Sequence, residues 1–296
     1  MFQVILFYKY VDLPEPEAQM IVQRTWCEEL GLTGRVLLAK EGINATLEGS
    51  VESINKYIKR MESSELFTDI NYKKSEGTGR AFPKLKVKVR NEVVTTRIED
   101  RDLGPIGGVT GDYLEADELH KWYENGKDFV VIDMRNDYEY EVGRFKGSIM
   151  PASLKNFRDL PKILPEVEKY KDKTVVTVCT GGIRCEKASG FLKKHGFKDV
   201  YQLHNGMHTY MEKFPNKFFE GKLYVFDERK LWAPESESSE HKVIGKCRFC
   251  NTTSENVINW YEQEDRKQGI VCEECIARGI VMPDGEPTKF QDHRLV

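Results

Sequence analysis

Residue types and spacing in the stretch Thr174–Lys187, TVVTVCTGGIRCEK, describe a reactive sulfur at Cys179. Val175, Val176 and Val178 form a short apolar, β-branched run, which predicts a strand that delivers Cys179 at its end. The tight loop Thr180-Gly181-Gly182-Ile183-Arg184 follows, and a helix is predicted from about Arg184 to His195, stopped by Gly196. The glycines let backbone N–H groups fold inward as an anion nest, and the helix adds its positive end. Both favour thiolate over thiol, and Arg184 adds a full positive charge beside them. The chemistry requires this sulfur to be ionised and reachable. The plainer reading is a small buried cysteine ending a core strand. It fits the Gly-Gly and arginine surroundings less well. Cys185 sits at the helix start, where it too feels the dipole. It either resolves an oxidised or sulfurated Cys179 by exchange or points into the helix packing.

A second constellation lies near the C-terminus. Cys247-x2-Cys250 and Cys272-x2-Cys275 have the spacing of a four-thiolate zinc site. Each turn presents two sulfurs to one ion, and a full set of thiolates leaves no open coordination position, so the predicted zinc is structural. The stretch between the pairs, with Trp260 and Tyr261, offers only a small core for metal to hold together. Redox dithiols are the competing reading, and they call for a thioredoxin-like βαβ setting that is absent here.

A third feature is basic. Lys73 to Arg90 carries seven cations against Glu76 alone, and within KLKVKVR the residues Lys84, Lys86, Lys88 and Arg90 alternate with Leu85, Val87 and Val89. In a strand this puts the charges on one face and the apolar set on the core. Such a row tracks a phosphate backbone, or it blunts an exposed sheet edge. Aromatic interleaving is limited to Tyr72 and Phe82, so base stacking is weakly signalled.

The elements that must position these groups fall into three regions. At 296 residues the chain holds two or three domains, and 40% apolar with 31% charged residues is an ordinary soluble composition. The net charge of −3 excludes a globally basic nucleic-acid binder. MFQVILFYKY lacks a basic n-region, and no stretch approaches the roughly 18 apolar residues of a membrane span. Seven cysteines, four of them in C-x-x-C pairs, suit catalysis and metal binding in a reducing cytosol better than disulfides.

Residues 1–96 read as β-α-β-β-α-β, a ferredoxin-like α+β domain. Its strands are predicted at Val4–Val11, Arg35–Lys40, Ile43–Leu47, Ile70–Lys73 and Lys84–Thr95, with helices opened by Pro14 and Pro16 and by Ser50. Cys27 reads as a buried structural thiol. Residues 97–112, with Gly104-Pro105-Ile106-Gly107-Gly108, read as a linker and form no P-loop. Residues 113–222 alternate strand and helix in a doubly wound α/β pattern, whose sites form at carboxyl ends of strands. There Asp133 and Arg135 read as a structural ion pair, and His204 and His208 as scaffold. Residues 223–240 read as a second linker, leading to the cysteine-rich zinc-binding region, 241–296.

Cys179-x4-Arg184 resembles the active-site loop of rhodanese-type sulfurtransferases, where the cysteine carries a persulfide. The related dual-specificity phosphatases have a loop one residue longer. VVIDMRNDYEYEVGRFKGSIMPA (Val130–Ala152) resembles the other rhodanese signature, with Asp133, Arg135, Glu139, Gly143 and Gly147 in the expected places. The whole arrangement, together with GRVLLAKEGINATLEGS and VVTTRI, is similar to the TrhO family, also called YceA or UPF0176. That resemblance implies an oxygen-dependent tRNA hydroxylase of the bacterial cytosol that converts the wobble uridine to 5-hydroxyuridine, with Cys179 as the catalytic residue. Its implied partners are tRNA and a sulfane-sulfur donor, with molecular oxygen as co-substrate; the sequence carries no flavin, haem or nucleotide motif. Two other readings stand beside it: a sulfurtransferase passing persulfide sulfur to a small acceptor or to tRNA, and a non-enzymatic RNA-binding module on an inactive rhodanese fold.

Overall fold

The computed structural model describes residues 1–100, 102–234, 242–262, 265–281 and 283. The N-terminal region runs β1 (Phe2–Tyr10), α1 (Pro16–Glu29), β2 (Thr33–Ala39), β3 (Gly42–Ser50), α2 (Val51–Glu62), β4 (Lys73–Gly77) and β5 (Leu85–Val89). Its sheet has the order β4-β1-β3-β2-β5, a ferredoxin-like antiparallel set with β5 added parallel to β2. The two helices cover one face, where Ile54, Tyr57 and Met61 of α2 meet Ile5, Phe7 and Val36 of the sheet. The Ser50 side chain caps α2 by accepting from the Ser53 N–H at 3.0 Å.

Several boundaries differ from expectation. The β2–β3 turn is Lys40-Glu41, one residue earlier than predicted, because Gly42 already pairs with Ala39. At Gly42, φ is +134° and a Cβ would stand 2.0 Å from the Lys9 carbonyl oxygen, so only glycine lets β1 pass this closely. Ile70 and Tyr72 pack against the core ahead of the ladder, which begins at Lys73 opposite Leu6. The strand expected over Lys84–Thr95 keeps only Leu85–Val89, since β2 ends beside it.

The central region contains β6 (Asp112–Leu114), α3 (Ala116–Glu124), β7 (Val130–Asp133), α4 (Asp137–Val142), β8 (Gly143–Phe145), α5 (Leu164–Val167), β9 (Thr174–Val178), α6 (Ile183–Lys194), β10 (Asp199–Leu203), α7 (Gly206–Lys213) and β11 (Phe219–Gly221). A parallel sheet of order β6-β10-β9-β7 forms its centre, so β9 is interior and buries Val175, Val176 and Val178 completely. Cys179 follows at the carboxyl end of that strand, as the valine run predicts.

Beyond it lie β12 (Leu223–Tyr224), β13 (Leu231–Trp232), β14 (Val257–Glu262), β15 (Asp265–Ile270) and α8 (Glu273–Ala277). The Ser/Glu-rich stretch 235–240 lies outside the described residues. No helix among the described residues is long and apolar enough to cross a membrane.

The described parts of the stretches read as linkers pack against the rest of the chain. Leu103 enters the core beside Ala188, Phe191 and Leu192 of α6. A Cβ at Gly190 would meet the Val109 carbonyl oxygen at 2.0 Å. From the second stretch, the Arg229 guanidinium donates to Ser75 Oγ at 2.9 Å and to the Glu76 carbonyl at 2.6 Å on β4. The N-terminal region is anchored to α6 itself. The Lys187 ammonium meets Glu41 at 2.8 Å and Glu92 at 3.0 Å, and the Tyr10 hydroxyl donates to the Ile183 carbonyl at 3.3 Å.

Replacing Lys187 by Met leaves both carboxylates without their cation. Because Glu41 and Glu92 keep 22% and 21% of their side chains exposed, the expected loss is about 1–3 kcal/mol rather than the ~3–5 kcal/mol of a sealed pair. Urea unfolding should show the midpoint fall; an unmoved midpoint would place the anchoring elsewhere.

Candidate active site

The loop 179–184 is held from four directions. Ahead of it, the Met134 N–H donates to the Val178 carbonyl at 2.9 Å, tying β9 to the end of β7. Within it, Gly182 adopts φ +103° and its N–H donates to Cys179 Sγ at 3.2 Å. A Cβ on Gly182 would stand 2.8 Å from the Tyr8 hydroxyl, so glycine serves both the conformation and the approach of β1. Behind it, the start of α7 donates from Met207 N–H to the Cys179 carbonyl at 2.9 Å and from His208 N–H to the Thr180 carbonyl at 3.1 Å. Arg184 makes a bidentate pair with Glu139 of α4 at 2.7 and 2.8 Å, and reaches Thr180 Oγ1 at 3.1 Å. The expected free cation is thus one half of a buried ion pair, because a guanidinium taken out of water needs a carboxylate. Asp133 and Arg135 form a second, fully buried pair at 2.7 Å. This second pair ties the approach to α4 to that helix's far end, where Arg135 Nη2 donates to the Gly143 carbonyl.

The electrostatics favour a thiolate at Cys179. Burial opposes it, but the Cys185 thiol, the Arg184 charge, and the amides of Cys185 and Arg184 outweigh burial and bring the pKa down to about 6. Burial and the neighbouring Cys179 sulfur push the Cys185 thiol upward, so Cys185 keeps its proton. The helix dipole does not ionise this second sulfur, because one negative charge already occupies the nest. Both sulfurs have no exposed surface. The expectation of a reachable sulfur therefore meets a correction: Leu6, Tyr8 and Lys73 of the N-terminal sheet lie across Gly181 and Gly182 and cover it.

Lys73, counted among the cations of the basic stretch, lies apart from its exposed face. It is 3% exposed, its ammonium lies 3.4 Å from Asn205 Oδ1 and 5.5 Å from the Tyr8 ring, and its pKa is pulled to about 8 by burial despite the Cys179 charge. Nothing in its sequence neighbourhood separates it from the exposed Lys74, since inward or outward placement depends on the β1 ladder. Glu186 and Lys187 were also missed as individual residues, although both stand in the quoted motif. Glu186 accepts from the hydroxyls of Tyr8 at 3.0 Å and Tyr113 at 3.0 Å and from Gln202 Nε2 at 3.0 Å. His204 pairs with Glu115 at 2.6 Å, while His208 stacks on Trp232 at 4.0 Å.

Beside the loop opens a cleft of about 450 Å³. Thr180, Gly181, Ile183 and Arg184 form one wall and β1–β3 residues the other, with the segment after β5 and the turn Asn156–Arg158 closing the sides. The basic face Lys84, Lys86, Lys88 and Arg90 is exposed along the edge strand β5, with Val87 buried beneath it. At the C-terminal end, the sulfurs of Cys247, Cys250, Cys272 and Cys275 all lie within 4.8 Å of one another. Zinc–sulfur bonds of about 2.3 Å place tetrahedral sulfurs about 3.8 Å apart, so the cluster fits the ion. Its core is small, with Ile258, Trp260, Val271 and Val281 around the cysteines.

The thiolate should appear in an ultraviolet titration, as absorbance lost in Cys179→Ser, with a midpoint near 6. Lys73→Met removes a cation that favours the ionised form, so the midpoint should move to higher pH. An unchanged midpoint would disconnect Lys73 from the sulfur.

Residues 2–93 match the UPF0176 acylphosphatase-like domain, 115–213 the rhodanese-like domain and 220–281 the rhodanase C-terminal family. A Bacillus licheniformis protein named tRNA uridine(34) hydroxylase is 44% identical over 92% of this chain and 84% of its own length. A Staphylococcus saprophyticus protein of the same name is 41% identical over 100% of this chain and 92% of its own. With its N-terminal, rhodanese-like and C-terminal parts all matched in order, the chain belongs to the UPF0176 family of rhodanese-containing proteins.

Proposed function

We propose that this protein hydroxylates carbon 5 of the wobble uridine of tRNA in the bacterial cytosol, with Cys179 as its catalytic thiolate and molecular oxygen as co-substrate. One observation carries the reading: identity of 41–44% over 92–100% of the chain to proteins named for that reaction. The names of these relatives favour hydroxylation over transfer of sulfur to an acceptor. The loop supports it, because an ionised sulfur with hydrogen bonds on one side is a nucleophile of the kind that C6 of a uracil accepts. Addition there moves the ring's electron pair toward C5, the carbon to be oxygenated. A persulfide on Cys179, supplied by a sulfane-sulfur donor, would act at the same carbon. The buried sulfur meets a base only when the N-terminal sheet and the loop part, so the described form is the closed one.

Cys185, the second buried thiol of the loop and helix start, would resolve an oxidised Cys179 as a disulfide. The C-terminal cysteines hold a structural zinc that stabilises a segment with little core of its own. Lys84, Lys86, Lys88 and Arg90 give the RNA a row of cations.

Nucleoside mass spectrometry of tRNA from cells carrying Cys179→Ser in place of the wild-type chain should show 5-hydroxyuridine gone; a full level would remove Cys179 from the reaction. The purified chain should carry about one zinc, lost together with much of the Trp260 fluorescence signal when Cys272 and Cys275 become Ser. Retention of the metal would contradict the site. Changing Lys84, Lys86, Lys88 and Arg90 to Ala should flatten the salt dependence of tRNA binding by about 0.7–0.9 per lost phosphate contact. An unaltered slope would leave that face a solvated sheet edge.

A further inference from the structure

The 450 Å³ cleft beside the cysteine loop has a charge pattern that the sulfur chemistry does not use. Arg35 of β2, Arg97 of the segment after β5 and Arg158 of the turn before α5 all line it, as does Arg184, and no Asp or Glu does. Arg184 is satisfied by Glu139. The other three guanidinium groups are exposed and have no hydrogen bond or ion pair to any described residue. Three unpaired arginines from separate stretches of chain, converging on one cavity without a carboxylate, constitute a receptor for a multiply charged anion.

Arg97 is placed deliberately. It adopts φ +60°, and Glu92 holds the turn by accepting from the N–H groups of Thr96 at 3.1 Å and Arg97 at 3.3 Å. The same Glu92 pairs with Lys187, so the arginine's backbone is fixed to the helix that follows the cysteine loop.

A second cleft of about 330 Å³ adjoins the first, with Arg35 and Phe226 lining both. Lys84 and Lys86 line its far side, joining it to the basic edge strand. Phe226 stands at the junction, 40% exposed, packed edge-on against Tyr224 at 5.2 Å and 5.8 Å from the Arg184 guanidinium. The second cleft also holds Asp227, paired with Arg229, and Glu228. An exposed aromatic ring fixed between it and the arginine-lined cleft is a stacking platform, which single-stranded nucleic acid uses and a free mononucleotide does not need.

We propose that the two clefts form one track for a single strand of RNA: a uridine turned out of its stack enters the larger cleft, Arg35, Arg97 and Arg158 hold the phosphates around it, and the neighbouring base stacks on Phe226. The strand leaves over Lys84 and Lys86. The larger cleft's volume lies within the roughly 300–1,000 Å³ of small-ligand sites, enough for one extruded nucleotide. Asn44 and Thr46 on the sheet side and Asn156 on the other offer neutral donors and acceptors for a base edge. This assignment rests on the reading that RNA is the substrate, and it adds which groups grip the strand.

The test is fluorescence anisotropy of a labelled anticodon stem-loop RNA with uridine at the wobble position, titrated with the full chain over a range of salt. Arg35→Gln, Arg97→Gln and Arg158→Gln should each lower the slope of log K against log salt by about 0.7, the value for one single-strand phosphate. Phe226→Ala should weaken binding about tenfold and Phe226→Trp should preserve it. The replaced side chains are at the surface, and an unchanged ultraviolet titration of Cys179 checks that each variant keeps its loop. Wild-type affinity and slope in all three arginine variants would overturn the track; an unaffected Phe226→Ala would overturn the stacking role. The reaction is read separately. If tRNA from cells lacking the protein keeps its 5-hydroxyuridine while the variants still lose RNA binding, the hydroxylase reading fails and the track stands. If the modification depends on the protein and the variants bind normally, the reverse holds.

Discussion

A guanidinium and a carboxylate removed from water hold the whole site in register. Arg184 and Glu139 are 7% and 0% exposed at their side chains and meet through two hydrogen bonds. Breaking such a pair by removing one partner leaves a charge where water cannot reach it, which is far more costly than the pair is stabilising. The constraint links α4, which supplies Glu139, to the first turn of α6, which supplies Arg184, and Thr180 is tied to both. With that frame fixed, the Gly182 N–H stays aimed at Cys179 and the nest for a negative sulfur persists.

The N-terminal sheet completes what the central region begins. Tyr8 and Lys73 reach across to the loop, and Glu186 and Lys187 receive the sheet from the other side. Burial under this sheet acts in two directions. It raises the cost of charging Cys179, yet it also strengthens each hydrogen bond and charge that favours the thiolate, because the local dielectric is low. For Cys179 the favourable set wins, whereas the adjacent Cys185 stays protonated. The ferredoxin-like region is therefore a wall of the site as well as the carrier of the basic edge strand, and a rhodanese-like loop without it would lack both Lys73 and the arginine-lined cleft.

The C-terminal segment relates to the centre differently. Its own core is a handful of apolar residues around the four cysteines, and it leans on the central region through Val142, Tyr224, Val257 and Ile270 and through the Arg248–Glu141 pair. Its four cysteines flank the open end of the β14–β15 hairpin, close enough together to hold a metal ion.

The sequence by itself determined the local pieces: a valine-rich strand ending at Cys179, glycines where the loop needs them, Ser50 as a helix cap, alternation along β5 and the two C-x-x-C turns. These are legible because strand, turn and ligand spacing depend on residues a few positions apart. Only the tertiary structure decided that Arg184 is neutralised by a residue 45 positions away, that Lys73 is buried against the cysteine loop while Lys84, Lys86 and Lys88 face solvent, and that Arg35, Arg97 and Arg158 share a cleft. The sulfur's burial belongs to the same class. The reason is that burial and charge pairing are properties of what arrives from elsewhere in the chain, and a run of lysines looks the same in sequence whether a neighbouring sheet covers its first member or leaves it in water.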